Sequence, residues 1–128
     1  MSFDFATRAA ISLIIICAAA PTLAAVDPAA GQKVFNKCKT CHEADQPKNK
    51  VGPNLVELFG RKAGSVADFK YSDAMKNSNV VWTETTLAEY VKQPKEFIVG
   101  NKMTFPGLKS DQEVADLIAY LKQASTPK

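Results

Sequence analysis

The chain sets two thiols three positions apart and places its only imidazole directly behind the second, in Cys38-Lys39-Thr40-Cys41-His42. Few short patterns restrict a fold so strongly. Each thiol can add across a vinyl group of one macrocycle, and the adjoining histidine is then held close enough to bind a metal at its centre. C-x-x-C-H is accordingly the attachment pattern of a c-type haem, with His42 as one axial ligand. Other uses of a C-x-x-C pair, as a redox dithiol, a structural disulfide or half of a zinc site, fit less well. A soft zinc site needs two further ligands at suitable spacing, yet the only other cysteine, Cys17, lies in an apolar leader, and there is no second histidine. A thioredoxin-like dithiol belongs beside a strand-helix-strand pattern, whereas Gln32 to Lys37 reads as helix.

At 128 residues the chain holds one domain at most. Met1 to Arg8 is short with a basic end, Ala9 to Ala20 is apolar, and Pro21-Thr22-Leu23-Ala24-Ala25 supplies small residues for cleavage. That is the outline of a secretory signal peptide, so residues 1–25 are read as a leader, residues 26–128 as the working domain, and the location as periplasmic. The apolar run of 12 residues is well short of the ~20 that span a bilayer. Extension through Val26 gives the alternative, an uncleaved membrane anchor.

Without the leader, 15 basic and 12 acidic residues remain, and Arg61 is the only arginine among them. Lysines without arginine forks argue against nucleic-acid recognition and favour a diffuse positive surface that steers an acidic partner. A domain this small has a limited core, and an apolar cofactor would help complete it.

Helix signals recur along the domain. Asp27-Pro28 reads as an N-cap followed by proline at the first helical position, opening a helix that runs to about Thr40. Val51-Gly52-Pro53-Asn54 is a turn signal, and Leu55 to Phe59 has room for only a short helix before Gly60. Ser72 caps a brief helix through Asn77. Thr83 caps Glu84 to Gln93, with Leu87, Tyr90 and Val91 on one face and Pro94 as the stop. Ser110 with Glu113 forms a capping box for a last helix striped by Val114, Leu117, Ile118 and Leu121. No segment alternates as a strand would. The fold class is all-α, with long loops that need something to wrap.

With a single histidine, the sixth iron position falls to Met, Lys, water or nothing. Met1 leaves with the leader, and Met75 follows Ser72 in a short helix where a core role serves equally well. Met103 stands in the irregular stretch Gly100 to Gly107, where a loop can carry a thioether over the far haem face. A lysine would first have to lose its proton. The pair His42 and Met103 suits electron transfer, because both axial positions are filled and the soft thioether raises the reduction potential. No catalytic constellation accompanies it, so the chain is not read as an enzyme. The alternative is a haem-based ligand sensor or peroxidase-like protein in which Met103 detaches.

Gly31 and Phe35, Cys38 to His42, Gly52-Pro53-Asn54-Leu55, Trp82, Tyr90, Lys102-Met103-Thr104-Phe105, and Leu117 with Tyr120 together resemble class I cytochrome c of the bacterial cytochrome c2 and mitochondrial type. The resemblance covers nearly the whole domain. It implies a small monohaem fold, three main helices plus short helices and loops wrapped around one covalent haem c. It further implies that Gly31 and Phe35 pack against Leu117 and Tyr120 where the first and last helices cross, glycine permitting the close approach. The Pro53 carbonyl is expected to accept a hydrogen bond from the ring nitrogen of His42 that does not bind iron. Arg61, Tyr71, Trp82 and Asn101 occupy positions similar to those that hold the haem propionates, and all four can donate. Asn101 stands where mitochondrial relatives usually have threonine. Tyr90 resembles the tyrosine beside the methionine ligand. Lysines 37, 39, 95, 102 and 109 flank the haem-binding run and the Met loop. They imply docking with acidic redox proteins, such as a quinol-cytochrome c reductase and an oxidase, reaction centre or dehydrogenase. Membranes would be met only through such partners, and the chain would act as a monomer.

Overall fold

The computed structural model describes residues 14–20 and 24–127. Among these residues five helices follow in order: α1 Pro28–Phe35, α2 Asp73–Lys76, α3 Glu84–Lys92, α4 Pro94–Phe97 and α5 Asp111–Ala124. The only extended pairing among the described residues is an isolated antiparallel bridge between Lys62 and Val81. The expected all-α class is therefore observed, with α1, α3 and α5 as its main helices.

Local chemistry explains where the helices begin. Asp27 accepts from the Ala29 N–H at 2.8 Å and Pro28 opens α1. Ser72 accepts from the Met75 N–H at 3.1 Å, and Thr83 and Thr86 cap α3 reciprocally. Each cap satisfies a backbone donor that the first turn leaves without a partner. At α5 only half of the expected capping box forms. Ser110 accepts from the Glu113 N–H at 3.3 Å, but the Glu113 carboxylate pairs with Lys37 at 2.9 Å, because a charged donor outcompetes a backbone amide for it.

The core is organised by the crossing of α1 over α5. Leu117, Leu121, Val114, Val34 and Phe35 are buried there, and the Phe35 and Tyr120 rings meet with centroids 5.4 Å apart. Gly31 lies so close to α5 that a Cβ would collide with the Asp116 carbonyl and the Tyr120 side chain. The buried Asp116 carboxylate accepts from the Asp27 N–H at 2.8 Å and the Gln112 amide at 3.0 Å, tying the start of α1 to α5. Two ion pairs, Lys92 with Asp111 and Lys122 with Glu84, link α3 to α5.

Two expected helical stretches are shorter than the sequence suggests. α1 ends at Phe35 rather than near Thr40, because the following amides turn back on nearer carbonyls: Lys37 N–H to Val34 at 3.0 Å and Cys38 N–H to Phe35 at 2.8 Å. Residues 55–59 form turns and no helix. The Leu55 N–H donates to Glu43 at 2.8 Å and the Glu57 N–H to Ser125 at 2.7 Å, while Glu57 has φ 53°, a conformation a right-handed helix does not admit. The expected leader over residues 1–25 falls largely outside the described residues. Residues 14–20 and 24–25 are exposed and non-helical, and no helix among the described residues is long and apolar enough to cross a membrane.

Candidate haem-binding site

Where α1 stops, tight turns arrange the Cys38 to His42 run. The N–H groups of Cys41 and His42 both donate to the Cys38 carbonyl, at 3.0 and 2.9 Å. Both thiols are partly buried and unpaired. Burial, reinforced by Cys41 and opposed by Lys37, pushes the Cys38 thiol up to about 11. It is protonated at neutral pH, unlike the low-pKa thiolate of a working redox dithiol.

The Nδ1 of His42 lies 2.7 Å from the Pro53 carbonyl. A carbonyl only accepts, so the imidazole donates from Nδ1 and keeps its lone pair on Nε2. Burial holds the ring below its usual pKa; the Pro53 bond opposes this, and Lys50 and Arg61 add to it. The imidazole is thus neutral and presents Nε2 as a ligand. Gly52 makes this placement possible, since a Cβ there would run into the ring. The Gly52 N–H donates to Cys41 at 2.8 Å, and its carbonyl accepts from the Lys50 N–H at 2.9 Å. Lys50 braces the same turn through its ammonium, 2.6 Å from the Lys39 carbonyl and 3.1 Å from the Glu43 carboxylate. This role was hidden in the sequence, where Lys50 is one lysine in a polar loop.

The four expected propionate donors differ in how far the protein already uses them. Arg61 donates to the carbonyls of Val56 at 2.9 Å and Asn54 at 3.0 Å, leaving other N–H groups of its fork free. Asn54 is itself buried and held by Asn49, a residue to which the sequence reading assigned no part. Tyr71 accepts from the Val66 N–H at 3.2 Å and retains its own hydrogen. The Trp82 indole N–H has no hydrogen bond within the described residues, and no side-chain nitrogen or oxygen there is fully buried without a partner; the indole nitrogen therefore opens onto accessible space. Asn101 is different. Its amide hydrogens go to the carbonyls of Pro94 and Ile98, at 2.7 and 2.8 Å.

The bridge that pairs Ala63 N–H with Val80 and Trp82 N–H with Arg61, at 2.8 and 2.9 Å, sets Arg61 beside Trp82. The Trp82 ring meets Tyr90 at 5.0 Å. Tyr90 in turn reaches Met103, its hydroxyl 3.7 Å from the sulfur, and the Met103 N–H donates to the Asn101 oxygen at 2.9 Å. Arg61, Trp82, Tyr90, Asn101 and Met103 thus form one connected wall. Met75 is partly buried against the core, and its sulfur makes no hydrogen bond among the described residues.

The sequence model of the cytochrome c family matches residues 28–125, the whole helical unit. The chain belongs to the cytochrome c family. It is 49% identical over 112 residues to cytochrome c2 of Blastochloris viridis, covering 87% of this chain and 88% of the relative. Cytochrome c of Chlamydomonas reinhardtii is 54% identical over 101 residues, 77% of this chain and 90% of that one. Among solved structures, cytochrome cH from Methylobacterium extorquens superposes with a TM-score of 0.72 at 43% identity, over 76% of this chain and 98% of that one. As a cytochrome c the chain is a haem-containing electron carrier with one covalently bound haem c. Its residues fit that group: two unpaired thiols at attachment spacing, an imidazole with Nε2 free, and hydrogen-bond donors on Arg61, Tyr71 and Trp82 that the chain leaves unspent.

Proposed function

We propose that this cytochrome c is a soluble, exported one-electron shuttle of the periplasm whose haem is attached through Cys38 and Cys41 and ligated axially by His42 and Met103. The observation that carries the reading is how Met103 is held. Its thioether accepts from Tyr90 and its backbone N–H donates to Asn101, whereas Met75 has no hydrogen bond at sulfur among the described residues. A residue pinned at both ends is organised as a ligand; a core filler needs neither contact.

When bound, the haem supplies reversible one-electron exchange at its iron. The chain's residues would hold the haem's surroundings nearly the same in both oxidation states. Pro53 fixes the orientation and basicity of the His42 ring, Tyr90 fixes the sulfur, and the free donors of Arg61, Tyr71 and Trp82 compensate propionate charge. With His42 and Met103 both bound to the iron, substrate would have no ready place at the metal, and the chain would carry electrons without acting as an enzyme.

Lysines 39, 95, 102 and 109 are exposed and make no ion pair among the described residues. They form the steering surface for acidic redox proteins, a quinol-cytochrome c reductase as donor and an oxidase, reaction centre or dehydrogenase as acceptor. Redox encounters need small interfaces and quick release, so charge accelerates and orients association more than it tightens it.

The test is the absorption spectrum of the oxidised protein, in which sulfur ligation gives a weak band near the red edge. The band is expected in wild type and in Met75→Ala and lost in Met103→Ala. Loss in Met75→Ala with survival in Met103→Ala would transfer the ligand, and an intact mass without haem would remove the whole reading.

A further inference from the structure

Asn101 was expected to donate to a propionate, yet its side chain is fully committed elsewhere. Its Nδ2 donates to Pro94 O at 2.7 Å and to Ile98 O at 2.8 Å. Its Oδ1 accepts from the Met103 N–H at 2.9 Å and lies 3.4 Å from the Tyr90 hydroxyl, whose single hydrogen is the one directed at the Met103 sulfur. Both amide hydrogens are used, and a primary amide has no third. We propose that Asn101 is a positioning residue for the sixth iron ligand: its amide locks the Met103 loop onto α4 and so sets how readily Met103 yields its place to a competing ligand.

The anchor points are rigid. Pro94 is among the most completely buried side chains and Ile98 is also buried, so the two carbonyls that hold the amide belong to well-packed backbone. The segment they hold is irregular and rejoins packed backbone at Leu108, which is buried and whose N–H donates to Val91 at 2.8 Å. Residues 101–110 lie in no helix or strand, and Gly100, immediately before it, has φ 91°. In an irregular stretch, local opening is opposed by the few hydrogen bonds that cross to packed structure, and the Asn101 amide supplies two of these, to Pro94 and Ile98, within two residues of Met103. A threonine hydroxyl has one hydrogen and cannot hold both carbonyls.

The inference rests on Met103 being the sixth ligand. It is tested on haem-loaded protein by titrating the oxidised form with imidazole, which competes for the sixth position, while following the sulfur-to-iron band. The variants are Asn101→Ala, Asn101→Thr and Asn101→Asp, with Ile118→Val in α5 as a control for general loss of stability. The apparent imidazole affinity is expected to rise about tenfold in Asn101→Ala, the size of effect that lost hydrogen bonds of this kind produce. Asn101→Thr should show a smaller rise. Asn101→Asp should match or exceed Asn101→Ala, since a carboxylate accepts from Met103 but sets oxygen against the two carbonyls. Amide hydrogen exchange at Met103 should quicken in Asn101→Ala and stay unchanged in Ile118→Val. An unchanged band and unchanged imidazole affinity in Asn101→Ala would overturn the inference alone. A wild-type spectrum without the band would overturn the assignment of Met103, and the inference with it.

Discussion

The Tyr90 hydroxyl donates to the sulfur of Met103 across 3.7 Å, from a helix whose own burial keeps that phenol protonated. Burial raises the Tyr90 pKa from an ordinary 10.0 to about 12. A folded-state pKa above the unfolded one contributes stability that is whole below pH 10 and lost as pH climbs toward 12. Tyr90→Phe should therefore flatten the fall in stability across that window. A smaller slope should remain, because burial also raises the pKa of Tyr71 and Tyr120. Denaturant midpoints measured from pH 9 to 12 check this.

The same variant should lower the reduction potential. A donor on the thioether draws electron density from the sulfur, and its loss makes Met103 a better partner for the oxidised iron. The shift expected is about 20 mV, equivalent to about 0.5 kcal/mol for one electron. Redox titration of Tyr90→Phe against wild type measures it, and an upward shift would contradict the proposed contact.

Gly31→Val should be among the most damaging single changes far from the haem. The side chain would enter the space held by the Asp116 backbone and the Tyr120 side chain, and overpacking of this kind costs about 3 kcal/mol. Chemical unfolding of the haem-loaded protein should show the lowered midpoint, with the sulfur-to-iron band intact in the folded fraction.

Gly52→Ala should act on the ligand rather than on the fold. Its Cβ would occupy the place of the His42 ring, forcing the imidazole away from the Pro53 carbonyl and losing about 1 kcal/mol of hydrogen bonding. In wild type the His42 Nδ1–H resonance should be sharp and protected from exchange; in Gly52→Ala it should broaden.

The lysines should divide into two groups. Lys37 is paired with Glu113 and Lys50 with Glu43, so their charges are largely offset at home, whereas Lys95, Lys102 and Lys109 are exposed and make no ion pair among the described residues. Replacement of any one of the latter three by Gln should slow association with an acidic redox protein roughly twofold at low salt, and Lys37→Gln should do less. Stopped-flow rates across ionic strength decide this, and a flat salt profile for wild type would count against the surface.

The cofactor and nearly every helix start were legible in the linear order of residues. Motif spacing and N-caps are local: Cys38 and Cys41 are covalently three positions apart, and Ser72, Thr83 and Ser110 satisfy amides only three residues away. The glycine at position 31 and the Pro53 acceptor were legible through the family resemblance, and the structure contains both close approaches.

Helix ends and polar partnerships were settled in three dimensions. Residues 55–59 keep out of helix because Glu43 and Ser125, distant in sequence, accept their amides, and Glu113 abandons its cap for Lys37, 76 positions away. Asn101 shows the division most clearly. That it carries two donors and one acceptor follows from its identity alone, but that these meet Pro94, Ile98 and Met103 rather than a propionate depends on where α4 packs. Side-chain chemistry names what a residue can bond, and only the folded chain brings a particular partner within reach.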